Sequence, residues 1–148
     1  MSQIEKHSPA IVLCTLNAKY IHASLGLRYL MANMARHGND DLAQRTVLTE
    51  FTLARPIQDM ALELLNQLGP ELPDRPQIIG FGVYIWNVIQ TTALVKALKA
   101  QRPRITIVLG GPEVSHETDF QEIVQLSDFV ISGWGDVSFP KLCLALLY

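Results

Sequence analysis

Ile105-Thr106-Ile107-Val108-Leu109-Gly110-Gly111-Pro112-Glu113-Val114 reads as a buried strand that stops against something. The run of β-branched and apolar residues suits a parallel strand covered on both faces. Gly110 and Gly111 then let main chain approach a bulky group, or take backbone angles where a Cβ would clash. In open α/β sheets, ligands sit in the crevice beyond the carboxyl ends of the strands. The other strand ends should therefore show the same economy of side chains.

Working outward, apolar runs alternate with segments of helical period. Strands are expected at Ala10 to Leu16, Thr46 to Phe51, Ile78 to Val83, Ile105 to Leu109 and Asp128 to Ser132. A helix from Leu25 to His37 places Leu27, Leu30, Met31 and Met34 on one stripe, with Ser24 as N-cap and Gly38 at C′. A second begins at Pro56, a natural first-turn proline, and carries Ile57, Met60, Ala61, Leu64, Leu65 and Leu68 inward up to Gly69-Pro70. Further helices are expected from Ile89 to Ala100, from Phe120 to Leu126, and from Val137 onward. Five βα units with short links predict a flavodoxin-like, doubly wound parallel sheet of order 2-1-3-4-5 in three αβα layers. A dinucleotide-type half-sheet is the topological alternative.

Composition excludes several classes. The 148 residues are 49% hydrophobic and 18% charged, which describes one globular domain rather than a disordered chain. A net charge of −2 offers no basic stripe for nucleic acid. No segment is apolar for the length needed to span a bilayer, and Met1 to Pro9 lacks the core of a signal peptide. Cys14 and Cys143 both lie in apolar surroundings far apart in sequence, which points to buried reduced thiols and a cytoplasmic setting. Neither has a Cys or His neighbour at metal-ligand spacing, so no metal site is expected from this chain. The closing run Leu142 to Tyr148 is apolar and uncapped, so the chain is expected to be the front portion of a longer polypeptide.

Four loops should meet at one rim: Asn17 to Ser24, Tyr84 to Val88, Gly110 to His116 and Gly133 to Val137. Glycines in ordinary βα turns would also produce this pattern. Their repetition at one sheet edge favours a ligand.

These residues resemble the cobalamin-binding domain at the front of many radical S-adenosylmethionine proteins. The resemblance rests on Leu25-Gly26-Leu27-Arg28-Tyr29-Leu30 after the first strand, Gly80-Phe81-Gly82-Val83 in the third, Leu109-Gly110-Gly111-Pro112 at the end of the fourth, and Asp128-Phe129-Val130 with Gly133-Trp134-Gly135-Asp136 at the fifth. It covers nearly the whole chain in order. Trp134 and Asp136 depart from the pattern, standing where the family often has glutamates. The resemblance implies cobalamin held at the strand ends. The Asp-x-His-x-x-Gly motif that supplies a lower cobalt ligand is not matched by Tyr20-Ile21-His22-Ala23-Ser24-Leu25-Gly26. His22 is therefore read as a rim contact or a plain loop residue rather than a metal ligand.

A corrin is broad and largely apolar with amides at its edge, so it needs an apolar floor and exposed peptide groups. Val83, Tyr84, Ile85, Trp86 and Val114 are candidates for the floor, although Tyr84 and Trp86 would equally serve as packing at a strand end. Gly82, Gly110, Gly111, Pro112, Gly133 and Gly135 leave backbone open. Asn17, Ser24, Asn87 and Ser115 are candidates for the edge, and Glu113 and Trp134 stand beside the turns. The resemblance further implies a parent protein with a downstream radical S-adenosylmethionine domain, an iron–sulfur cluster and methyl transfer. This chain has no Cys-x-x-x-Cys-x-x-Cys and should bind cofactor without turning over.

Three other readings suit the same fold. A flavin carrier would want a phosphate cradle of Ser, Thr and Gly, which the bulky Asn17 to Ser24 loop lacks. A phosphoryl-accepting domain would want acids at Leu16-Asn17 and Val83-Tyr84, where there are none. The alternative that remains is a flavodoxin-like protein-interaction module that has lost its cofactor.

Overall fold

Alternation along the strands decides which side of the sheet each residue serves. The computed structural model describes residues 9–18, 24–114, 121–133 and 135–148. Five parallel strands stand in the order β2-β1-β3-β4-β5, the flavodoxin-like order expected from the alternation: β1 Ile11–Asn17, β2 Thr46–Thr52, β3 Ile78–Gly82, β4 Thr106–Gly110 and β5 Phe129–Val130. Six helices connect them: α1 Leu25–His37, α2 Asp40–Gln44, α3 Ile57–Leu68, α4 Val88–Gln101, α5 Glu122–Leu126 and α6 Gly135–Leu147.

Val12, Cys14 and Leu16 of β1, Ile79 and Phe81 of β3, and Ile107 and Leu109 of β4 point to one face. There they join Met60, Leu64 and Leu68 of α3, Leu94 and Leu98 of α4, and Ile123 of α5. The intervening residues Ile11, Leu13, Ile78 and Val108 point to the opposite face, against Leu27 and Met34 of α1 and Phe139 and Cys143 of α6. The period of two thus makes two cores, one on each side of the sheet. Both cysteines are free and buried, as expected. Burial pushes the Cys143 thiol up to about 12, and burial, with Glu63 and Glu50 adding, pushes Cys14 up as well, so neither is poised as a thiolate.

Several local expectations need correction. Ser24 caps α1 as expected, its Oγ accepting from Leu27 N at 3.2 Å. Gly38 follows α1 but is not left-handed (φ −110°, ψ −118°). It is glycine because a Cβ there would stand 2.4 Å from both the Met34 carbonyl oxygen and Leu42 Cδ2. The sequence periodicity did not reveal α2, a single turn that Asn39 caps through Leu42 N at 2.7 Å. Pro56 is the N-cap residue rather than the first helical one, since α3 starts at Ile57. The fifth strand is two residues instead of five, and α6 starts two residues earlier than Val137. Among the described residues no helix is long and apolar enough to cross a membrane.

Candidate functional site

Gly80 and Gly82 of β3 and Gly110 of β4 share the parity of Ile78 and Val108, so all three face α1 and α6. Removing side chains from that face, over the carboxyl halves of the two central strands, leaves a gap between sheet and helices. A cleft of 520 Å3 opens there. Gly26, Leu27, Tyr29 and Leu30 of α1 wall one side of it, and Ile131, Gly133, Gly135, Asp136 and Phe139 the other. Gly80, Gly82, Tyr84, Val108, Gly110, Gly111 and Pro112 line the sheet side and the lip. Volumes of about 300–1,000 Å3 suit small-molecule ligands.

The glycines of this cleft have different reasons for being small. Gly111 takes φ +105°, and a Cβ on it would stand 2.4 Å from the Val83 carbonyl oxygen, so the turn itself demands glycine. Gly80 makes room for Phe139, whose Cζ would be 2.9 Å from an added Cβ. Gly110 is different. Its φ is unremarkable, and the nearest atom to an added Cβ is the Ile131 carbonyl oxygen at 4.0 Å. Gly26 resembles it, with Tyr84 Oη at 3.5 Å and only Ser24 Oγ besides. The fold does not require glycine at these two places; the open space does. Gly133, at φ +75° with nothing within 4 Å, combines both conditions.

Of the residues expected at the rim, Gly82, Tyr84, Gly110, Gly111, Pro112, Gly133 and Gly135 come together around the cleft. Others have different occupations. Asn87 is fully buried beneath the lip: its Oδ1 accepts from Tyr84 N at 2.8 Å, and its Nδ2 donates to Leu16 O at 3.0 Å and Gly82 O at 3.2 Å. It braces the β3–α4 turn from below and has no reach to a ligand's edge. Asn17 is buried at the end of β1 and does not line the cleft. Ser24 is occupied as the helix cap. Glu113 faces away, into a groove with Val88, Ile89, Thr92 and Glu122, and its carbonyl accepts from Gln121 Nε2 at 2.7 Å.

The expected floor is corrected too. Val83 and Val114 lie wholly within the core on the other side of the sheet, Val83 because its parity is that of Phe81 and Val114 because the turn through Gly111 carries it across after β4 has ended. Ile85 is 77% exposed outside the cleft. Trp86 does not line it either; its indole stacks on the Tyr84 ring, centroids 4.5 Å apart and planes within 6°. The apolar surface inside comes instead from Leu27, Leu30, Val108, Ile131 and Phe139. His22, Ser115 and Trp134 lie outside the described residues.

A lip of glycines thus stands at parallel strand ends, above a slot between the first and last helices. Residues 11–143 match the B12 binding domain. The chain belongs to that family. Among curated proteins, none matches the chain closely enough to narrow this further. Membership in the B12 binding domain family supports cobalamin as the ligand. The structure offers an independent check of fit. A ligand as broad as cobalamin would need exposed peptide groups and open space, and Gly110 and Gly26 are positions where a Cβ would project without a close clash.

Proposed function

We propose that this chain is the cobalamin-binding module of a longer radical S-adenosylmethionine protein and holds cobalamin at the Gly82, Gly110–Pro112 and Gly133–Gly135 lip. The observation that carries this is Gly110, a glycine whose smallness serves open space instead of packing. Tyr84, Leu27, Leu30 and Phe139 would supply the apolar contacts for the bound cofactor, and the glycine lip would supply the exposed peptide groups. Bound cobalamin supplies organometallic chemistry at its cobalt; the residues named here bind it, orient it and keep water from one side. His22 is not a cobalt ligand in this reading.

The radical S-adenosylmethionine partner domain, its iron–sulfur cluster and a methyl-transfer reaction are supported by the four motifs standing in family order. The chain itself does not turn over. A cytoplasmic setting is supported by the two unpaired thiols. The alternative of an interaction module without cofactor draws on Ile85 and Ile89, 77% and 78% exposed beside the lip.

Purified protein mixed with hydroxocobalamin should shift the cobalamin absorption spectrum and carry its colour through gel filtration. Gly110→Val should abolish that retention with the far-ultraviolet circular dichroism unchanged, because β4 accepts valine and the ligand space does not. Colour retained by Gly110→Val would overturn the lip assignment, and no chromophore on the parent chain would favour the interaction module.

A further inference from the structure

Glu50 stands on β2, outside the cleft, yet it holds the part of α1 that forms the cleft wall. Its parity is that of Leu48, so it faces α1. Oε1 accepts from Ser24 N at 2.6 Å and from Arg28 Nη1 at 2.9 Å, and Oε2 accepts from Arg28 Nη2 at 3.1 Å. The Arg28 guanidinium, with Ser24 N and Asn17 adding, holds this carboxyl below its ordinary range. Ser24 caps α1, so one side chain ties the start of that helix to β2. Arg28 Nη1 also reaches Ser24 O at 3.1 Å, closing the arrangement over the first turn of the helix. Gly26 and Leu27, which line the cleft, lie within that turn.

Resting on the cobalamin reading above, we infer that Glu50 is a positioning residue: by binding Ser24 N and Arg28 together it fixes the first turn of α1 against the sheet and so sets the shape of the cofactor cleft. The bidentate ion pair with arginine supplies direction as well as attraction. The side chain is 17% exposed, so solvent weakens these bonds less than at an open surface. A carboxylate whose work was only to pair with Arg28 would have no need of Ser24 N.

The test separates position from charge and from general stability. Amide hydrogen exchange is read in the cofactor-free chain, and hydroxocobalamin affinity by spectral titration. Glu50→Leu should speed exchange at the Ser24 and Leu27 amides and weaken hydroxocobalamin binding, each by about tenfold or more. Glu50→Gln keeps an oxygen that accepts from Ser24 N, and should rescue both to within about threefold of the parent. Glu63→Leu breaks the 2.9 Å ion pair with Arg55 and serves as the control, leaving affinity unchanged. Unchanged exchange at Ser24 in Glu50→Leu would overturn the proposal, as would an equal affinity loss in Glu63→Leu or in Glu50→Gln. A parent chain that does not bind hydroxocobalamin sinks the cobalamin reading instead, and the exchange result alone then decides whether Glu50 fixes the helix.

Discussion

Gly110 and Gly111 are neighbours with opposite meanings. Substituting alanine separates them. Gly111→Ala forces a Cβ into the Val83 peptide at a positive φ, which should cost about 1–3 kcal/mol or more in chemical denaturation. Gly110→Ala finds its nearest neighbour at 4.0 Å and should leave stability within about 0.5 kcal/mol of the parent. Equal losses in the two variants would contradict this account. In sequence the pair reads as one motif, because spacing does not show which glycine a turn requires and which an empty space requires. Asn87 was illegible for a related reason. Its sequence position beside a turn suggests a reach outward, whereas its amide bonds Tyr84 N, Leu16 O and Gly82 O beneath the lip. Buried peptide groups need partners, and that demand appears only once the strands are side by side.

At the scale of elements, β5 is the weakest member, with only Phe129 and Val130 paired to Val108 and Leu109. It nevertheless delivers Ile131, Gly133 and the start of α6 to the cleft. Asp128 compensates for the short ladder. Its Oδ2 accepts from Ile107 N at 2.8 Å and from Lys99 Nζ at 2.6 Å, while its own N–H donates to Ile107 O at 2.9 Å. Asp128→Ala should therefore cost about 1–3 kcal/mol and speed exchange of the Ile107 amide more than that of Ile79. An unaffected Ile107 amide would show that the two paired residues suffice. Strand order and most helix spans were legible because long apolar periods carry them. The boundaries of β5 and the existence of α2 were not, because a two-residue strand and a one-turn helix are fixed by side-chain bonds from Asp128 and Asn39, not by periodicity. The cleft floor was misread for a simpler reason. Parity along β3 and β4 already places Gly80, Gly82, Val108 and Gly110 on one face and Val83 on the other.

For the molecule as a whole, the two faces of the sheet are unequal. The α3–α4 side packs a continuous set of buried apolar residues, its groove lying outside the sheet between α4 and α5, whereas the α1–α6 side has a 520 Å3 opening onto the strand ends themselves. A ligand that fills the opening binds only the folded chain. At a free concentration one hundred times its dissociation constant, it should add about 2.7 kcal/mol of stability. Hydroxocobalamin should therefore raise the thermal midpoint of the parent, and of Gly110→Ala less or not at all. A midpoint indifferent to cobalamin in the parent would mean that nothing enters the opening.

That inequality divides what the chain can revise from what it must keep. Met34 and Cys143 are bound into the core with Ile11, Leu13, Ile78 and Val108, so what α1 and α6 can revise with little hazard is the set of side chains that face the opening. A scaffold made this way can trade one occupant for another over generations by altering two helices and a lip, without having to relearn how to fold.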